Sequence, residues 1–132
     1  PTDIYDHPAN TFVASFIGSP AMNLVEGRLE GGRFRAEGFD IPGLSGPDGP
    51  VTLGFRAEDA AVAEGPAEVN APVYTLELLG DATMITVRAG GHRIAGKAFK
   101  NHRIDMGQMA HFSVPAAICH LFDTETGARI GN

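Results

Sequence analysis

Apolar and polar residues alternate with a period of two over most of the chain, punctuated by glycine pairs, and this pattern predicts a meander of short antiparallel strands. Residues 23–30 alternate into Gly31-Gly32. Residues 33–39 follow, with Phe34, Ala36 and Phe39 facing inward and Arg33, Arg35 and Glu37 facing water, which makes a first hairpin. Residues 40–50 hold Pro42, Gly43, Gly46, Pro47, Gly49 and Pro50, so a surface excursion without continuous regular structure is expected there. Residues 51–55 resume a strand, and 57–61 form a short helical turn before the break at Glu64-Gly65-Pro66. The clearest pair is 73–79 with 83–87, joined through Gly80-Asp81, and Gly90-Gly91 leads into a third strand over 92–99. Val73, Thr75, Glu77 and Leu79 share one face of the first of these strands, with Tyr74, Leu76 and Leu78 on the other. Large apolar groups on both faces predict cover on both sides for part of its length. Residues 108–114 alternate again. Pro115-Ala116-Ala117 turns the chain into Cys119-His120-Leu121-Phe122, and residues 123–127 make a last hairpin turn.

One stretch has a different period. Phe12, Val13, Phe16 and Ile17 lie on one helix face, and Gly18-Ser19-Pro20 then stops the helix, so that a new element begins at Met22. No second amphipathic helix is present to serve as a crossover, which excludes a βαβ arrangement. With about seven to ten short strands, the expectation is an all-β fold: one or two small OB-like barrels of antiparallel strands with one N-terminal α-helix.

The length of 132 residues suits one domain, or two small lobes sharing a core, and 17 glycines and 9 prolines suit a turn-rich chain. The single cysteine, Cys119, has Ile118 and Leu121 beside it and reads as a buried thiol. Ten basic residues against sixteen acidic ones give a formal charge of -6, with no run of Lys and Arg, which disfavours nucleic acid and anionic membranes as partners. No apolar run is long enough to span a bilayer, and no charged segment followed by an apolar one opens the chain. The chain starts at Pro1, without a methionine and just upstream of the expected helix, which predicts an excised piece with an artificial N-terminal boundary.

Catalytic chemistry finds little support. His92, His102, His111 and His120 recur at intervals of about ten residues, whereas zinc sites draw ligands from pairs about two to five apart. Cys119 and His120 are neighbours whose side chains leave a strand on opposite faces. No metal is therefore expected. No Gly-x-Ser-x-Gly elbow occurs, and Glu58-Asp59, the adjacent acidic pair, reads as a surface or capping feature. Gly31-Gly32 and Gly90-Gly91 lack the Gly-x-x-x-x-Gly-Lys-Ser/Thr cradle for phosphates, so ATP hydrolysis by that route is not expected of this chain.

Four blocks in order carry a family resemblance. The first holds Pro8, Ala9, Phe12, Val13, Phe16, Ile17, Gly18, Ser19, Pro20, Met22 and Asn23, and the second is Leu53-Gly54-Phe55-Arg56-Ala57-Glu58, with Ala57 where proline is usual. The third is Glu77-Leu78-Leu79-Gly80-Asp81-Ala82-Thr83, and the fourth is His120-Leu121-Phe122-Asp123-Thr124-Glu125-Thr126-Gly127-Ala128-Arg129-Ile130. Together they resemble the ATP-binding subunits of carbohydrate-type ABC importers, the maltose, glycerol-phosphate and related sugar systems.

The resemblance implies that residues 1–20 are a connecting helix from a nucleotide-binding domain upstream of Pro1, and that 21–132 form a transport-associated, OB-like regulatory domain. Such domains pair across two ATPase subunits, and some receive regulatory proteins. The implied partners are the chain's own nucleotide-binding domain, a second copy, membrane permease subunits and a regulatory protein, at the cytoplasmic face of the membrane. ATP and Mg belong to the parent subunit, with no cofactor in this chain. Phe12, Phe16, Met22 and Phe55 are candidates for a dimer or interdomain contact, and filling the barrel's own core is the alternative for each. The alternative function is a small-ligand or oxyanion sensor, as in related molybdate systems.

Overall fold

A computed structural model of the chain describes Asn10, residues 22–99 and residues 102–132. The helix expected over 12–17 lies outside the described residues, and so do Phe12, Phe16, Gly18, Ser19 and Pro20. The strands are β1 (Asn23–Glu30), β2 (Arg33–Ala36), β3 (Phe39–Ile41), β4 (Gly49–Phe55), β5 (Ala61–Ala63), β6 (Val69–Leu79), β7 (Ala82–Ala89), β8 (His92–Phe99), β9 (Met109–Ser113), β10 (His120–Asp123) and β11 (Arg129–Gly131). Two 3-10 turns, Ala57–Asp59 and Ala116–Ile118, complete the elements of the described residues. The expected limits of β1 and β8 are those observed.

The strands form an all-β fold around a small closed barrel. In sheet order β6, β7, β8, β5 and β9 follow one another, and β9 pairs back onto β6 to close the ring. The other strands form a wing, β11-β10-β4-β1-β2-β3, which joins the ring where Phe39 of β3 faces Val69 of β6. Alternation sends Leu29, Phe34, Leu53 and Phe55 of the wing into the same core as Val69, Ile85, Val87 and Phe112 of the ring. Each such burial contributes about 1.5–3 kcal/mol before the entropy of ordering is counted. Phe39 sits at the seam, edge-on to Phe34 with ring centroids 6.1 Å apart and tilted against Phe55 at 6.5 Å.

The proline- and glycine-rich stretch between β3 and β4 carries no regular element, as expected, and is held at its centre. Leu44 is buried and its N–H donates to the Gly32 carbonyl at 2.8 Å, while Ser45 exchanges hydrogen bonds with Asn132 through its N–H and carbonyl. Two expectations need correction. Residues 33–39 are two strands: Gly38 takes a left-handed φ of 81°, which turns the chain between β2 and β3 although the apolar alternation runs on. The second correction concerns β6, which is not covered on both sides in its second half. Tyr74, Leu76, Leu78 and Leu79 are exposed because the strand runs past the end of β9, whose pairing stops at Pro72.

Candidate functional site

The described residues of three of the four sequence blocks converge on the wing. Asn23 lies opposite Phe55 and Leu24 opposite Gly54 on neighbouring strands, and Gly54 faces His120 on its other side. A Cβ at Gly54 would lie 2.6 Å from the Met22 sulfur and 3.0 Å from the Phe122 ring, so glycine makes room for a small apolar cluster of Met22, Leu24 and Phe122. The Arg129 guanidinium lies over the Phe122 ring, 5.5 Å from its centroid, and donates to His120 Nδ1 at 2.8 Å. Burial holds the Arg129 guanidinium below its ordinary pKa. Asp123 accepts hydrogen bonds from the N–H groups of Thr126 (2.8 Å) and Glu125 (2.9 Å), which keep its carboxyl below the ordinary value and build the turn that Gly127 closes with a φ of 76°.

Asn23 reaches farther than any alternation pattern indicates. Its side-chain Nδ2 donates to the Ala95 carbonyl at 2.9 Å, and Ala95 N–H donates to its Oδ1 at 3.0 Å. One amide thus reproduces a strand-to-strand bridge, tying β1 of the wing to β8 of the ring. Arg56, at the end of β4, is 2% exposed, while Glu58 two residues on is exposed. Met22 and Phe55 are both buried, and Phe55 belongs to the main core, so its ring has no surface left for a partner. Gly80 and Thr83 lie apart, at the β6–β7 hairpin.

Two surface features were not singled out in the sequence. Across the β1–β2 hairpin Arg28 lies directly opposite Arg35, with Arg33 and Glu30 paired beside them around a hollow of about 280 Å³. Glu30 takes Arg28 at 3.2 Å and Asp40 takes Arg33 at 2.6 Å. The signal was present, since Arg28 and Arg35 flank Gly31-Gly32, but a search for runs of basic residues passes over charges that only a hairpin brings together. The second feature is the bare half of β6. A groove of about 420 Å³ beside β8 sets Lys97 and His102 beside Glu58 and Asp81, a mixed lining.

The described histidines have separate surroundings. His111 Nδ1 bonds Asn70 Oδ1 at 2.6 Å, His120 meets Arg129, and His102 lines the groove. Among the described residues no three His, Cys, Asp or Glu side chains gather as metal ligands. Cys119 is buried, its thiol donating to the Pro115 carbonyl at 3.4 Å. Burial, with the Glu68 carboxylate nearby, pushes its pKa up to about 12. No described helix is long and apolar enough to cross a membrane.

Against this geometry stand the comparisons with known proteins. Residues 18–60 match the family model of the MalK OB fold domain. The chain is 37% identical to the xylose/arabinose import ATP-binding protein XacK of Haloferax volcanii, over all of its own length and 38% of that protein. It is 37% identical to the sn-glycerol-3-phosphate import ATP-binding protein UgpC of Burkholderia lata and 39% identical to that of Burkholderia mallei. These alignments cover 99% of the chain and 40% and 39% of those proteins. The chain thus spans about two fifths of the length of the curated relatives it matches. The barrel of short strands and the family match define an OB-fold domain of the MalK type. Over its whole length the chain is homologous to a C-terminal portion of sugar and glycerol-phosphate import ATP-binding proteins.

Proposed function

We propose that this chain is the regulatory and dimerisation domain of the ATP-binding subunit of an ABC importer for sugars, polyols or glycerol phosphate. The observation that carries the reading is the alignment of its whole length with import ATP-binding proteins. In this reading residues 1–20 connect it to a nucleotide-binding domain, and 21–132 form the OB-like unit. The parent subunit binds ATP and Mg and hydrolyses ATP, while this chain supplies no catalytic group and holds no cofactor. The complex sits at the cytoplasmic face of the membrane, in contact with permease subunits and a second copy of itself, and receives a regulatory protein.

The physical gain of such a domain is proximity. Holding two ATPase subunits together through hydrolysis makes their reclosure intramolecular, at an effective concentration set by the tether. Light scattering of the intact subunit, with and without ATP, and of the same subunit lacking this chain, tests the idea. A dimer that persists without nucleotide and is lost on truncation is expected. A strictly monomeric intact subunit at high concentration rules the tether out.

A second reading, an oxyanion sensor, is favoured by the three arginines around the β1–β2 hollow. Two of them already have a carboxylate partner, at 3.2 and 2.6 Å, which lowers their value to a free anion. Calorimetry with molybdate, sulfate and glycerol phosphate separates the two readings: heat that is lost in Arg35→Ala favours the sensor, and no heat removes it.

A further inference from the structure

The exposed half of β6 is an open sheet edge. A two-residue turn, Gly80-Asp81, joins β6 to β7, and Gly80 adopts a left-handed φ of 59°. Leu79 and Ala82 close this turn, so they exchange both of their backbone hydrogen bonds. The alternation of antiparallel ladders then gives the pairs Glu77–Met84 and Thr75–Thr86 the same arrangement. The N–H and C=O groups of Leu76 and Leu78 therefore point away from β7. Strand β9 pairs with β6 only from Val69 to Pro72, and no described strand reaches Leu76 or Leu78 on that side.

The side chains along this edge are ordered by face. Leu76 and Leu78 lie across from Ile85 and Thr83, both buried, so they extend the inner face of the barrel past its end. They are 40% and 72% exposed. Glu77 stands on the opposite face, exposed and without an ion pair among the described residues.

We propose that the open edge of β6 docks an extended segment of another protein in which a basic residue stands between two apolar ones. Such a segment adds a strand beside β6. Its backbone bonds the outward groups of Leu76 and Leu78, its apolar residues cover those two leucines, and its cation meets Glu77. Charge argues against a second copy of this chain as the occupant. The two-fold register that sets Leu76 against Leu78 of the copy also sets Glu77 directly against Glu77, and like charges in that position repel. The proposal does not rest on the dimerisation reading, since its partner is not a second copy of this chain.

The test titrates the full chain with the peptide Thr-Thr-Val-Lys-Val-Thr-Thr and with its counterpart carrying Glu in place of Lys, following backbone amide signals by NMR. The expected result is a shift and slowed exchange at Leu76 and Leu78, with the Lys peptide favoured by about fivefold, the scale of one exposed charge pair exchanged for repulsion. Glu77→Lys should invert the preference. Leu76→Pro should abolish binding, since it removes an N–H that does not serve the β6–β7 ladder. Three outcomes would overturn the proposal: no response at β6 to either peptide, a ranking that Glu77→Lys leaves unchanged, or self-association of the unliganded chain through this edge. The Glu77→Lys comparison decides the matter even if the proline variant fails to fold.

Discussion

Asn23 concentrates at one residue a link between the two halves of the molecule. Its amide matches the donor and acceptor of Ala95, so Asn23→Ala leaves a backbone N–H and a C=O without their partner. A loss of about 1–3 kcal/mol is expected, read from the urea midpoint with an unchanged slope. Asn23→Asp should recover little of it, because a carboxylate accepts from the Ala95 N–H but repels the carbonyl. The resemblance marks Asn23 in the sequence, but its task was not legible, because the partner is 72 residues away. Cys119 was legible from its apolar neighbours. Its pKa, raised from about 9 to about 12, means that its contribution to stability is complete below pH 9 and is lost as pH rises through that window. At pH 8 the thiol should react with Ellman's reagent only as fast as the chain opens. Rapid labelling of the native protein would contradict its burial.

At the scale of elements, alternation located strands well where one face is buried and the other wet. β1 and β8 are of this kind, and both are bounded by glycine turns. It failed at β2 and β3, because Phe34, Ala36 and the buried Phe39 do not reveal that the chain turns at Gly38. It misled at β6, where apolar residues on both faces suggested cover on both sides, while the strand outruns its neighbour β9 instead. Gly54 was visible only as a motif letter. Its reason is the space it leaves between β1 and β10 for the Met22 sulfur and the Phe122 ring. Gly54→Ala forces both to shift and should cost about 1–3 kcal/mol, the usual scale of overpacking. Gly31→Ala meets nothing within 4 Å and so isolates the cost of its left-handed φ of 56°, about 1 kcal/mol. A loss at Gly54→Ala clearly below about 1 kcal/mol, measured by denaturant melts, would contradict the steric account of Gly54.

The whole molecule is a ring and a wing, and the sequence left open whether these are two lobes or one body. The hydrogen bonds that join them among the described residues are few: the Phe39–Val69 pairing, the flanking bonds from Asp40 N–H to the Glu68 carbonyl and from Asn70 N–H to the Gly38 carbonyl, the bond from Gly90 N–H to the Glu37 carboxylate, and the Asn23 staple. What unites them is the shared core, in which Phe39 at the seam touches both Phe34 and Phe55 of the wing while its strand borders the ring. Because wing and ring residues fill one core, the two should unfold together. Hydrogen exchange in native conditions checks this directly. The slowest amides of β4 in the wing and of β7 in the ring should report one common free energy. Phe39→Ala opens a cavity at the seam and should lower both by the same amount, about 3–5 kcal/mol. If the wing amides fall and those of β7 hold their protection, the ring is a separate folding unit and the wing is built upon it. The shared core would then be a docking face between two domains.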